Sequence, residues 1–385
     1  MAITAVSSVA LGLLRGAGVP LAVHSRFRSG VNLACGGFLA FAGPGAASGA
    51  CGIEVTAEDA ALLATGDAWL WQGDGLHAVG SRAAASRGAG AALGDPARGG
   101  RRAAVPLASD VRVYAPRVPR LHRLAEGAAD VVEAARRAAG GVSWFDDGDG
   151  LTLGLPRLRA ALATLFAAEC PSGEGLTAAH PDDEGLVEHA GGGGLAGPAA
   201  GPSRTERSLR AALLRIVGLG VGLTPSGDDA VIGALCVMAA LGFLGAAERG
   251  AARAGAAAPE RGAATGAGVF EPGLTRDAAP ERDSLSRSIE RVLVDEAGGQ
   301  RTTDVSASYL RLAVSGAFSP SLAAVVALLG RPHTRRPAAL GRPDPLRAAV
   351  TAELRYGATS GADSLVGVRE ACALLLAQPQ PERVS

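Results

Sequence analysis

Residues 218–229, Gly-Leu-Gly-Val-Gly-Leu-Thr-Pro-Ser-Gly-Asp-Asp, concentrate residue types that handle small anions. Alternating glycines let a backbone approach a ligand closely, and Pro225 suits the turn before a helix. The first N–H groups of a helix have no internal partner, so they attract anions, and neighbouring hydroxyls add donors. The segment therefore predicts an anion- or phosphate-binding loop that opens a helix. Its candidate ligands are Gly222, Thr224, Ser226 and Gly227.

The two carboxylates that follow, Asp228 and Asp229, would repel an anion directly. Three roles reconcile them with the loop. They hold a Mg²⁺ ion against phosphate oxygens, one of them acts as a general base, or they only cap the helix and complement its positive end. We keep both residues as candidate catalytic and metal-binding groups.

A second copy of this pattern lies at residues 359–367, near the C-terminus. Both copies read Ser-Gly-x-Asp, with a glycine four residues after the aspartate. The matched pairs are Ser226 with Ser360, Gly227 with Gly361, Asp229 with Asp363 and Gly233 with Gly367. The recurrence predicts two helix N-termini aimed at one place, against the alternative of chance similarity in a chain rich in alanine and glycine.

Two further groups are candidates for the same site. Thr302, Thr303 and Ser306 cluster hydroxyls at another helix start, where the alternative is ordinary N-capping. His24, Arg26 and Asn32 group an imidazole, a guanidinium and an amide on predicted strands. Arg26 or Arg28 suits bidentate binding of a carboxylate, and the alternative is a solvated strand edge.

Composition narrows the function classes. The 37 basic residues balance 37 acidic ones, so no basic field favours nucleic acid as a partner. Every basic residue is arginine, which excludes Schiff-base lysine chemistry and a Walker-type phosphate lysine. The five cysteines are scattered, so we expect neither a disulfide scaffold nor a structural zinc site.

The N-terminus lacks a basic region before its apolar stretch, so we expect no signal peptide and a cytoplasmic location. Residues 230–247 are uncharged over nearly the length of a membrane span. Small residues and the adjoining aspartates favour a buried central helix over a span. We therefore predict no membrane partner.

The pattern along the chain predicts an α+β protein. Residues 1–118 carry short apolar segments separated by Gly, Pro and Asp, typical of an antiparallel β-sheet or barrel domain. Residues 119–385 carry helical periodicity and predict a mainly α-helical domain. Gly-, Ala- and Pro-rich inserts near 170–202 and 248–283 are predicted to be flexible, and 82–102 to be a loop.

Taken together, these segments resemble the AllH family, associated with oxamate carbamoyltransferase. The residues that carry the resemblance are Ser25-Arg26-Phe27 with Asn32-Leu33, Gly220-x-Gly-Leu-Thr-Pro-Ser-Gly-Asp-Asp229, Thr302-Thr303 with Ser306, Tyr309-Leu310 and Gly316, and Gly357-x-Thr-Ser-Gly-x-Asp363 with Gly367. They occur in family order over most of the chain, and the Thr-Pro-Ser-Gly-Asp-Asp core is the most specific of them.

The resemblance implies a subunit of an enzyme that converts oxalurate and phosphate to oxamate and carbamoyl phosphate in allantoin breakdown. It also implies an FdrA-type partner subunit that resembles acyl-CoA synthetases. The accompanying hypothesis is that both Ser-Gly helix starts cradle phosphate, that Asp228 or Asp229 orients Mg²⁺ or moves a proton, and that Arg26 holds a substrate carboxylate. Two alternatives stay open: a non-catalytic assembly or anion-binding subunit, and a Mg²⁺-dependent phosphotransferase.

Overall fold

The structure is a computed structural model. It describes residues 2–14, 18–35, 37–65, 68–79, 104–169, 204–220, 222–244, 287–296, 301–331, 344–357 and 359–377. The predicted loop at 82–102 and the predicted inserts near 170–202 and 248–283 lie outside the described residues.

The N-terminal part is a closed β-barrel. Its strands are β1 (Ile3–Ser7), β2 (Val19–Phe27), β3 (Gly30–Cys35), β4 (Phe38–Gly43), β5 (Gly52–Glu54), β6 (Ala68–Trp71), β7 (Gly75–Ala78) and β8 (Ala104–Tyr114). They follow the order β1-β5-β4-β3-β2-β6-β7-β8, and β8 pairs with β1 to close the barrel. The prediction of a β-sheet or barrel followed by helices is therefore confirmed.

Most neighbouring strands in the barrel run antiparallel, as the sequence predicts, but β1–β8 and β4–β5 are parallel. A short 3₁₀ helix at Ala46–Ser48 carries the chain back between β4 and β5, so these consecutive strands point the same way. Strands β6 and β7 are consecutive and pair antiparallel as a hairpin.

Strand β1 and the helices α1 (Ser8–Leu13) and α2 (Ala57–Thr65) are not predicted from the sequence. Ser7 and Ser8 interrupt the apolar run there, which hides the strand. Ser7 is nevertheless buried, because its hydroxyl accepts a hydrogen bond from the N–H of Ala10 at 2.9 Å and caps α1.

Helices make up most of the described chain after residue 127. They are α3 (Ala128–Ala138), α4 (Leu155–Glu169), α5 (Arg204–Leu214), α6 (Ser226–Leu241), α7 (Asp304–Val314), α8 (Pro320–Leu329), α9 (Pro345–Glu353) and α10 (Ser360–Ala377), with a 3₁₀ helix at Trp144–Asp146 and π-helices at Gly150–Gly154 and Arg291–Glu296. Because α7 and the residues after it send Leu312 and Ala317 into the barrel core, barrel and helices share apolar contacts.

Helix α6 lies at the centre of the helical part. It is buried along nearly its whole length, which explains why no charged residue follows Asp229 in the helix, and it ends where Gly242 adopts a left-handed conformation with φ of 83°. Among the described residues, no helix combines the length and the apolar character needed to cross a bilayer.

Helices α6 and α10 touch backbone to backbone. A Cβ atom added to Gly233 would lie 1.9 Å from the carbonyl oxygen of Ser364, and one added to Gly367 would lie 1.8 Å from that of Ala230. Each glycine thus faces the residue three positions before the other glycine. The crossing is a two-fold pseudosymmetric contact between the two sequence repeats.

The crossing predicts a large effect of a single methyl group. Gly233→Ala or Gly367→Ala should lower the free energy of unfolding by about 1–3 kcal/mol, because the helices must separate to admit it. Chemical denaturation measures this. The control is Gly12→Ala in α1, where nothing lies within 4 Å and no loss is expected. Equal effects at the crossing and at the control would contradict the close contact.

Candidate functional site

Each of the two repeats folds a loop back over the start of its helix. The N–H of Gly227 donates to the carbonyl of Leu219 at 2.9 Å, and the N–H of Gly361 donates to the carbonyl of Tyr356 at 3.0 Å. Both glycines also pack against a carbonyl of the preceding segment, at distances that exclude a Cβ. Their N–H groups therefore serve the fold, and the geometry does not favour Gly227 and Gly361 as phosphate donors.

The two loops meet through their hydroxyls. Thr224 Oγ1 and Ser360 Oγ lie 2.7 Å apart, although 136 positions separate them in the chain. Gly222, with φ of 113°, lets the first loop make its turn beside Thr224. The structure thus brings the starts of α6 and α10 to one place.

A cavity of about 620 Å³ opens at this meeting point, between the barrel and the helices. From the predicted site it is lined by Gly222, Thr224, Ser360 and Asn32. The remaining lining residues include the aromatic side chains of Phe27, Phe41, Tyr309 and Tyr356, and the guanidinium-bearing Arg355.

Among the described residues that line this cavity, Arg355 is the one that carries a charge. It is exposed and makes no side-chain hydrogen bond or ion pair with the described residues. The sequence analysis did not single it out, because an arginine just after α9 carries no local motif. Its position beside the paired hydroxyls makes it a cation available to an anionic ligand.

Asp228 points away from the cavity and joins α6 to α7. Its carboxylate accepts hydrogen bonds from the N–H of Gly218 at 2.8 Å, from Ser306 Oγ at 2.6 Å and from Thr302 Oγ1. Burial raises the pKa of Asp228, and the two hydroxyls and the N–H oppose that shift. Asp228, Thr302 and Ser306 therefore form a structural junction. Thr303 caps α7 and donates to the carbonyl of Leu223.

Asp229 faces the other way, toward α10. Burial raises its pKa well above the usual value, and the nearby Asp363 carboxyl raises it further, while the hydroxyls of Ser360 and Thr224 lower it. Asp363 accepts hydrogen bonds from Ser143 Oγ at 2.5 Å and from the N–H of Trp144 at 2.9 Å. Sequence reasoning missed Ser143, which lies 220 positions from its partner.

Because Asp228 and Asp229 point to different neighbours, they do not converge on one cation. Among the described residues, no group of three or more His, Cys, Asp or Glu side chains is arranged to hold a metal ion. The geometry gives the predicted Mg²⁺ site at these two residues no support.

His24 and Arg26 lie outside the cavity lining. His24 Nε2 lies 3.3 Å from Asp304 Oδ2, and Arg26 Nε donates to the carbonyl of Ala64 at 2.7 Å. Both side chains belong to residues exposed on β2. Arg26, the predicted carboxylate-binding residue, therefore does not line the cavity, whereas Arg355 does.

Comparison with known proteins gives a family match for part of the chain. Residues 216–372 match the AllH family, described as oxamate carbamoyltransferase subunit AllH. This AllH-matching region includes both repeats, Arg355 and the helix α7. The resemblance noted from the sequence is thereby confirmed over this region. No curated protein and no solved structure is significantly similar to the chain.

The raised pKa of Asp229 predicts a pH-dependent stability difference. Folded Asp229 keeps its proton at higher pH than the unfolded chain, so the free energy of unfolding falls as pH rises above the usual pKa of 3.8. Asparagine at position 229 does not ionise, so the Asp229→Asn variant does not lose this stability as the pH rises. The melting temperature of the variant minus that of the wild type should therefore be more positive at pH 8 than at pH 4.

Asp146 supplies a control of opposite sign. Burial works against its ionisation, but hydrogen bonds from Arg136 and the N–H of Ser143 lower its pKa overall. That contribution is present above the usual carboxyl pKa and is lost in acid. Asp146→Asn should thus destabilise more at pH 8 than at pH 4. Parallel pH trends in the two variants would refute the assignment of Asp229.

Proposed function

We propose that this chain is a subunit of an oxamate carbamoyltransferase-type enzyme and that its cavity binds the small anionic substrates. The reaction converts oxalurate and phosphate to oxamate and carbamoyl phosphate, as in allantoin and purine degradation. The family match over residues 216–372 supports the subunit assignment. The specific reaction rests on the chemistry of the cavity.

The observation that carries the proposal is the combination of one free cation with two hydroxyls at converging helix starts. Arg355 is the charged residue of the lining, and Thr224 and Ser360 lie beside it with their oxygens 2.7 Å apart. Oxalurate, oxamate, carbamoyl phosphate and phosphate are all anions. A guanidinium binds carboxylate or phosphate through two N–H groups, and helix N-termini favour negative charge.

The aromatic lining suits the same substrates for a different reason. Tyr309 and Tyr356 meet edge to face with ring centroids 6.3 Å apart, and Phe27 and Phe41 line the barrel side. Apolar walls exclude water, and in such surroundings hydrogen bonds to a developing oxyanion are stronger than in water. They also protect carbamoyl phosphate from hydrolysis during transfer.

A subunit of this kind acts with other chains. We propose an FdrA-type partner, similar to acyl-CoA synthetases, which docks over the cavity and completes the substrate site. In this arrangement the partner supplies polar groups beyond the one charged side chain that the described residues bring to a cavity of about 620 Å³.

Ligand-dependent heat stability tests the proposal on the isolated chain. Oxamate, carbamoyl phosphate and phosphate should each raise the melting temperature, and a ligand at 100 times its Kd stabilises by about 2.7 kcal/mol. Arg355→Gln should abolish the shift, because the anion loses its cation. Arg347→Gln is the matched control, since Arg347 is exposed on α9 and lies outside the cavity lining.

Other outcomes point to other functions. Arg26→Gln should leave the ligand-induced rise in melting temperature unchanged. If this variant loses the rise, the carboxylate-binding role belongs to Arg26 on β2. Stabilisation by the partner subunit alone would indicate an assembly subunit. A shift given only by ATP with Mg²⁺ would indicate a phosphotransferase. Either of the last two results would contradict the proposed substrates.

A further inference from the structure

The crossing of α6 and α10 places one aspartate of each helix on the contacting faces. Asp229 lies one turn before Gly233 on α6, and Asp363 lies one turn before Gly367 on α10. Residues four apart share one face of a helix. Because the glycine faces touch backbone to backbone, both carboxyl groups lie on the contacting faces.

The cluster contains buried polar atoms that have no hydrogen-bond partner in the part of the chain that the structure describes. They are Ser226 Oγ, Asp229 Oδ2 and Asp363 Oδ2, in residues that are 1%, 4% and 0% exposed. No guanidinium contacts either carboxyl among the described residues. Two adjacent buried carboxylates without a counter-charge are strongly disfavoured, whereas one proton between them removes the repulsion.

The donors around the pair are distributed unequally. Asp363 accepts from Ser143 Oγ and from the N–H of Trp144, which is an arrangement that stabilises a carboxylate. The hydroxyls of Ser360 and Thr224 lie close enough to Asp229 to lower its pKa, and they bond to each other and line the cavity. The negative charge is thus favoured on Asp363, and the proton on Asp229.

We propose that Asp229 and Asp363 hold one proton between them at neutral pH and exchange it with the cavity through Ser360 and Thr224. The pair itself is independent of the reaction, but its use rests on the proposed function. When phosphate attacks the carbamoyl carbon of oxalurate, a C–O bond forms and the C–N bond to oxamate breaks. The proton of hydrogen phosphate must then reach the leaving nitrogen.

The aspartate pair carries out that proton transfer with no net gain or loss of protons. It gives its proton through the hydroxyls to the nitrogen and recovers one from hydrogen phosphate, so the proton count is the same before and after turnover. Other titratable groups face the pair: Asp228, Tyr309 and Tyr356 lie near Asp229. Asp228 is held by its own three donors, and burial raises the pKa of both phenols, so the phenols stay neutral at neutral pH.

Infrared spectroscopy of the isolated chain tests the pair without any activity. At pH 7 the wild type should show the C=O stretch of a protonated carboxylic acid that Asp229→Asn lacks. Buried Asp228 and Glu353 are present in both proteins, so their contributions cancel. Asp130→Asn, at an exposed position of α3, should retain the band. A band equal in wild type and Asp229→Asn would overturn the proposal.

Asp363→Asn tests whether the two groups share the proton. Removing the neighbouring negative charge should make Asp229 ionise more readily, so the pH at which the band disappears should fall. An unchanged midpoint would show an isolated buried acid and overturn the sharing. If Asp229→Asn does not fold, this variant and the wild-type titration still decide the question.

The complex reconstituted with its partner tests the use of the proton. Asp229→Asn, and separately Ser360→Ala with Thr224→Val, should lower kcat by about 10²- to 10⁴-fold, the usual contribution of proton transfer. Asp229→Asn should leave KM for phosphate near its wild-type value and alter the pH profile of kcat. An unchanged kcat and pH profile would overturn the relay. A wild-type complex without activity, but with the infrared band, would refute the proposed function and leave the pair standing.

Discussion

The structure depends on direct contact between the backbones of α6 and α10. Glycine at 233 and at 367 removes the side chains that would keep the helices apart. The contact sets the positions of both helix starts, and so it determines that Thr224 meets Ser360 and that two carboxyl groups face each other. A cavity with hydroxyl donors at its base follows from packing, before any ligand contributes.

Adjacent aspartates in α6 show how helix geometry separates roles. Successive residues of a helix point about 100° apart. Asp228 therefore reaches Ser306 of α7 and two further donors outside that helix, while Asp229 faces α10 and the hydroxyls of the cavity. One carboxyl organises the helical core and the other connects that core to the site. The positive ends of both helices offset part of the cost of burying these groups.

The sequence predicted the elements that local patterns determine. The repeated Ser-Gly-x-Asp pattern predicted that helices open near Ser226 and Ser360, which is where α6 and α10 begin. Barrel closure and the position of Arg355 depend on distant contacts that leave no local pattern. Strand alternation required Arg26 and Phe27 to point to opposite sides of β2, but the pattern did not show which side faces the cavity.

The shared apolar core of barrel and helices has a consequence for how this chain can be divided. Leu312 and Ala317 fill the interior next to the strands, and Arg117 forms a β-bridge with Ala317. Dividing the chain near residue 118 would leave a cavity in the barrel core and expose apolar side chains on the helical part. The barrel therefore does not exchange as an independent module. Chimaeras of homologous proteins joined at that point should fold poorly unless the barrel and the α7 residues that pack into it come from the same parent.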